Sequence, residues 1–94
     1  MNAGVEMPKY QSHKQVWALQ IEKSTFNPNG SLDLMFVKSD VYAPINIEGD
    51  DAERIHKMME KHPDDAGYYV VYPDGYKSWS PTQSFEDGYD LIEK

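Results

Sequence analysis

The stretch Tyr68-Tyr69-Val70-Val71-Tyr72-Pro73-Asp74-Gly75-Tyr76-Lys77-Ser78-Trp79 constrains the fold of this chain more than any other. Five consecutive aromatic or β-branched residues suit a strand covered on both faces, where each alternate side chain meets an apolar surface. Pro73 presets φ and Gly75 supplies a positive φ, so Pro73-Asp74-Gly75 turns the chain back on itself. The expectation is a hairpin of residues 68–72 and 76–80.

Other elements are legible around it. Trp17, Leu19 and Ile21 alternate with Val16, Ala18, Gln20 and Glu22, which predicts a half-buried strand within residues 13–22. Asn27-Pro28-Asn29-Gly30 is a hairpin turn, and Leu32, Leu34 and Phe36 alternate beyond it as an antiparallel partner. Pro44 confines residues 41–48 to a short or edge strand, with Ile45 and Ile47 inward. A helix is expected over about 50–62, capped by Asp50 with Glu53 in reciprocal position. Its buried face is Ala52, Ile55, Met58, Met59 and His62, with Arg54, Lys57, Glu60 and Lys61 in solvent, and Pro63 ends it. Ser80-Pro81-Thr82-Gln83 reads as an N-cap box opening a short helix over about 81–87, stopped by Gly88. Phe85 then packs onto the sheet, and Tyr89, Leu91 and Ile92 tie down the end of the chain. The fold class is therefore α+β: a small antiparallel sheet of four or five strands, one packed amphipathic helix and a short C-terminal helix. Residues 1–9 show no periodicity and read as a flexible tail, with residues 10–94 as one domain.

Charge narrows the function. Nine basic and sixteen acidic residues leave a net charge of −7, which disfavours direct binding of nucleic acid or anionic membrane. No apolar run approaches the ~20 residues of a membrane span, and the opening residues lack the apolar stretch of a secretory signal. The absence of cysteine removes disulfides, thiolate metal sites and cysteine nucleophiles together. The acids are not evenly spread. Residues 1–48 carry five acids and four bases, whereas residues 49–94 carry eleven acids and five bases.

Catalytic signals are weak. His56 and His62 are six apart and do not share the ridge that a helical metal pair needs. His56 with Glu60 supplies only two ligands, and His13 reads as a polar residue beside the first strand. Asp50-Asp51 is explained by helix capping and Asp64-Asp65 by loop solvation; neither has calcium-loop spacing. No nucleophile elbow, phosphate loop or dinucleotide fingerprint is present. No catalytic residue, cofactor or metal is expected. The hairpin tyrosines and C-terminal acids are the remaining candidates, as apolar anchors and steering charges for a protein partner. Tyr69, Tyr76, Glu86, Asp87 and Asp90 form that set.

The blocks Tyr10-Gln-Ser-His-Lys-Gln-Val-Trp-Ala-Leu19 and Gly67-Tyr-Tyr-Val-Val-Tyr-Pro-Asp-Gly-Tyr-Lys-Ser-Trp-Ser-Pro-Thr-Gln-Ser-Phe-Glu-Asp-Gly-Tyr89 resemble a family of small proteins encoded by tailed bacteriophages and prophages. The resemblance covers most of residues 10–92, and that family brings no assigned activity or site residues. It implies a setting, the cytoplasm of an infected or lysogenic bacterium. In that setting the leading expectation is an accessory protein that binds a host or phage protein with a basic surface, such as a defence or nucleic-acid enzyme. The alternatives are a minor virion or assembly protein forming homo-oligomers, and a small enzyme using His13 or His62.

Overall fold

One strand organises the molecule. The structure, a computed structural model, describes residues 7–11, 15–88 and 90–91, with 9–11 and 90–91 as backbone. Strand β2 (Gln15–Phe26) is the spine, flanked on one edge by β1 (Lys9–Gln11) and β3 (Leu32–Phe36) in succession. Its other edge pairs with β5 (Tyr68–Val71), beyond which lies β6 (Lys77–Ser80). The short β4 (Ile45–Ile47) adds to β3, and β7 (Asp90–Leu91) adds to β1. Every pairing is antiparallel. Helices α1 (Gly49–Glu60) and α2 (Thr82–Gly88) complete an α+β fold. The five expected strands are β2 to β6; β1 and β7 are additional.

The helices lie against opposite faces of the sheet, and alternation in β2 and β5 explains why both can be accommodated. Leu19, Ile21 and Tyr69 join Leu32, Leu34, Phe36 and Trp79 in a cluster sealed by Ala52 and Ile55 of α1. Val16, Ala18, Tyr68 and Val70 form a second cluster with Phe85 of α2. The near-continuous apolar and aromatic character of Val16 to Leu19 and of residues 68–71 follows from this double coverage.

Several details depart from expectation. β2 continues to Phe26 rather than ending near Glu22, because Leu32–Phe36 supplies a hydrogen-bonding partner after its own alternation fades. The register shifts between Ile21 and Lys23, and the extra residue restores Phe26 to the α1 face, where it stacks on His56 at 3.9 Å. Residues 7–9 are not loose: Met7 packs on the α1-side cluster, Pro8 O accepts the Ala18 N–H at 3.0 Å, and Lys9 begins β1. Residues 1–6 lie outside the described residues.

Helix α1 stops at Glu60, two residues early. His62 N–H instead reaches Met59 O at 2.9 Å in a tightened last turn before Pro63. Its N-cap is Glu48, which makes no side-chain capping bond, so Asp50 and Asp51 act through the helix dipole from inside the first turn. Ala52 and Ile55 are fully buried, whereas Met58 and Met59 are half-buried and His62 is exposed.

The start of α2 also differs. Ser80 Oγ turns to Pro81 O, and the cap comes from Asp65, distant in sequence. Its carboxylate accepts the Thr82 N–H at 2.9 Å, the Thr82 hydroxyl at 2.6 Å and the Gly67 N–H at 3.1 Å. Gln83 bonds Asp87 instead of closing a capping box. Asp65 is therefore a clasp between the loop after α1 and the start of α2, not a solvated loop residue.

Candidate interaction surface

The Pro73-Asp74-Gly75 turn sets two tyrosines at one end of the sheet. Gly75 has φ +91° and donates its N–H to Tyr72 O at 2.8 Å, while Tyr72 N–H donates to Tyr76 O at 2.9 Å. Asp74 Oδ1 accepts the Tyr76 N–H at 3.0 Å, closing an Asx turn. The backbone is thus fixed on both sides of Tyr76, a residue that is 47% exposed. Tyr72 leans on the α2-side cluster, with its ring centroid 5.8 Å from that of Tyr76. Tyr72, Pro73, Asp74 and Tyr76 line an open depression of about 540 Å³.

Arg54 holds Tyr76 from the α1 side. Its guanidinium lies 4.4 Å from the Tyr76 ring centroid, donates to Lys77 O at 2.7 Å and bonds Asp51. A cation–π contact at an exposed site is worth only ~0.5–1 kcal/mol. Its effect is to restrict the Tyr76 ring, since the bond to Lys77 O anchors the guanidinium itself. Sequence periodicity placed Arg54 in solvent, because nothing local signals a partner on the distant hairpin.

The candidate residues separate into two groups. Tyr69 is a correction: it is 5% exposed and faces α1, with its ring 6.2 Å from Phe36. Alternation along β5 sends residue 69 to the α1 face and residues 68 and 70 to the α2 face, so it offers no exposed anchor. Burial, reinforced by the Asp51 charge, pushes its hydroxyl up to about 12. Tyr76 is exposed at the turn. Glu86 and Asp87 are exposed on α2: Glu86 accepts the Tyr68 hydroxyl at 2.9 Å, and Asp87 accepts Gln83 Nε2 at 3.0 Å. Tyr68 stacks on Phe85 with centroids 4.4 Å apart, so Glu86 is held over the face that Tyr72 also joins. Asp90 falls on β7, its backbone opposite Gln11, and its side chain is outside the described set. Tyr89 is likewise outside it.

The two described histidines have separate partners. His56 stacks on Phe26 and lies 3.3 Å from Glu60, and the His62 ring lies 5.5 Å from the Trp79 ring. His13 is outside the described residues. Among the described residues no three His, Asp or Glu side chains converge on a metal-sized site, and no helix is long and apolar enough to cross a membrane. Burial raises the Asp65 pKa, but the Thr82 and Gly67 hydrogen bonds and the nearby His62 outweigh it and leave the carboxyl below its ordinary value. This is what a capping carboxylate does. Comparison with protein-family models, with curated proteins and with solved structures finds no match to this chain.

Proposed function

We propose that this chain is a small non-enzymatic protein-binding module of a phage or prophage. It acts in the host cytoplasm on a host or phage protein with a basic surface. The observation that carries this reading is the hairpin end, where an exposed Tyr76 is braced by Arg54, Tyr72 and Asp74 before any partner arrives. A preordered aromatic ring loses little freedom on binding, so its burial converts to affinity with small entropic loss. Glu86 and Asp87 on α2 supply negative charge that speeds encounter with a basic partner. Occupying a basic surface that normally holds nucleic acid is the specific form this takes against a host enzyme.

A second reading, an assembly component, rests on the sheet face opposite α1, where Met35 is 40% and Val37 50% exposed. Sedimentation across a concentration series separates the two: the binding module stays monomeric without its partner. The direct test is to capture the partner from infected or lysogenic cells and compare binding kinetics of variants. Tyr76→Ala is expected to speed dissociation about tenfold or more, and Asp87→Lys to slow association at low salt. Unchanged rates for both variants contradict the proposal.

A further inference from the structure

The described cations are not scattered. Arg54, Lys57 and Lys61 recur at three- and four-residue spacing and so form one stripe along α1. That stripe borders β6: Arg54 bonds Lys77 O, and Lys57, Met58, Lys61 and His62 share a groove of about 290 Å³ with Trp79 and Pro81. Lys77 lies on the same strand as Trp79. Four of the six described Lys and Arg side chains thus lie along one seam in a chain of net charge −7. Of the described six, only Lys23 and Lys38 lie elsewhere.

The seam is chemically two-part. Met58, Trp79 and Pro81 give it an apolar side, with the Trp79 indole fixed by its Nε1–H donating to Ala66 O at 2.7 Å. Lys57 and Lys61 give it a cationic side, with the His62 ring beside them. Lys57 has only a long, exposed contact with Glu53 at 3.8 Å, which competes weakly with an incoming carboxylate. Among the described residues Lys61 and Lys77 have no ion-pair partner.

We infer that the groove between α1 and β6 binds an acidic, partly apolar peptide segment of a partner protein. One apolar side chain rests against Met58, Trp79 and Pro81, and flanking carboxylates meet Lys57 and Lys61. Charge complementarity selects this occupant. A nucleic acid would bring its phosphates up against the chain's overall negative field, whereas a short acidic segment meets only the local stripe. Lys57 and Lys61 in the groove are opposite in sign to Glu86 and Asp87 of α2. None of the groove's lining residues belongs to the hairpin depression, which Arg54 joins to the same stripe.

The test is selection of twelve-residue peptides from a random display library on the wild-type protein, followed by affinity measurement on the Lys57→Glu/Lys61→Glu variant. The expected winners carry net negative charge with at least one large apolar residue, and lose about tenfold or more in affinity for the variant. They also change the emission of Trp79 in a Trp17→Phe background. Lys57→Gln/Lys61→Gln keeps the test valid if the double reversal disturbs α1, and an intermediate loss is expected. Winners without acidic enrichment, or binding unaffected by either double variant, overturn the inference. So does a self-association abolished by Lys57→Glu/Lys61→Glu, or binding of a single-stranded oligonucleotide in place of acidic peptides.

Discussion

At the scale of single residues, Gly67 has a demanding role. It adopts φ +75°, and a Cβ there would land on the Trp79 indole ring and on Ser80 O. The backbone passes this close because Trp79 Nε1–H must reach Ala66 O, one residue earlier. Gly67→Ala therefore combines a left-handed conformation with a steric clash against buried atoms. A loss of about 2 kcal/mol or more in chemical denaturation is expected, where Gly75→Ala, with open space around it, loses only the conformational part. Tyr69 gives a second residue-level expectation. Its folded pKa is raised to about 12 from an ordinary 10.0, so the native state holds its proton more tightly than the unfolded chain. The stabilisation is complete below pH 10.0 and is lost as pH rises toward 12, so the wild type weakens in that window. Tyr69→Phe, which cannot ionise, is expected to flatten that part of the stability-against-pH curve.

At the scale of elements, the informative case is the start of α2. Ser80-Pro81-Thr82-Gln83 has every local mark of a capping box, and the helix does begin there, but Asp65 supplies the cap. Asp65→Ala is expected to cost about 1–2 kcal/mol in thermal or chemical unfolding, with Ser80→Ala within ~0.5 kcal/mol of wild type. Because the Asp65 carboxyl is held below its ordinary 3.8, its contribution is present above that pH and fades as pH falls through the lowered value. The Asp65→Ala variant thus differs least from wild type in strong acid. The longer elements were legible: alternation found β2 and β3, the Pro-Asp-Gly turn found β5 and β6, and three-four spacing found α1. What local pattern could not supply were partners far along the chain. Asp65 for Thr82 and Arg54 for Tyr76 are products of tertiary approach, and β1 and β7 are too short to carry a period. Residue 69 shows the same limit from the other side. A run apolar at every position says that both faces are covered, but not which helix covers which tyrosine.

At the scale of the whole molecule, the double-faced sheet divides the surface into regions of different character. One end carries the braced tyrosine, with acidic α2 on one face and the cationic α1–β6 seam along the other side. The exposed Met35 and Val37 lie on the part of the sheet that α2 does not reach. A single measurement discriminates among these surfaces for the captured partner: amide hydrogen exchange of the protein alone and in complex. Exchange is expected to slow at residues 76–78 and across 82–88, with β3 and β4 unchanged. Protection confined to residues 32–47, with the hairpin end and α2 exchanging as in the free protein, contradicts the proposed binding surface.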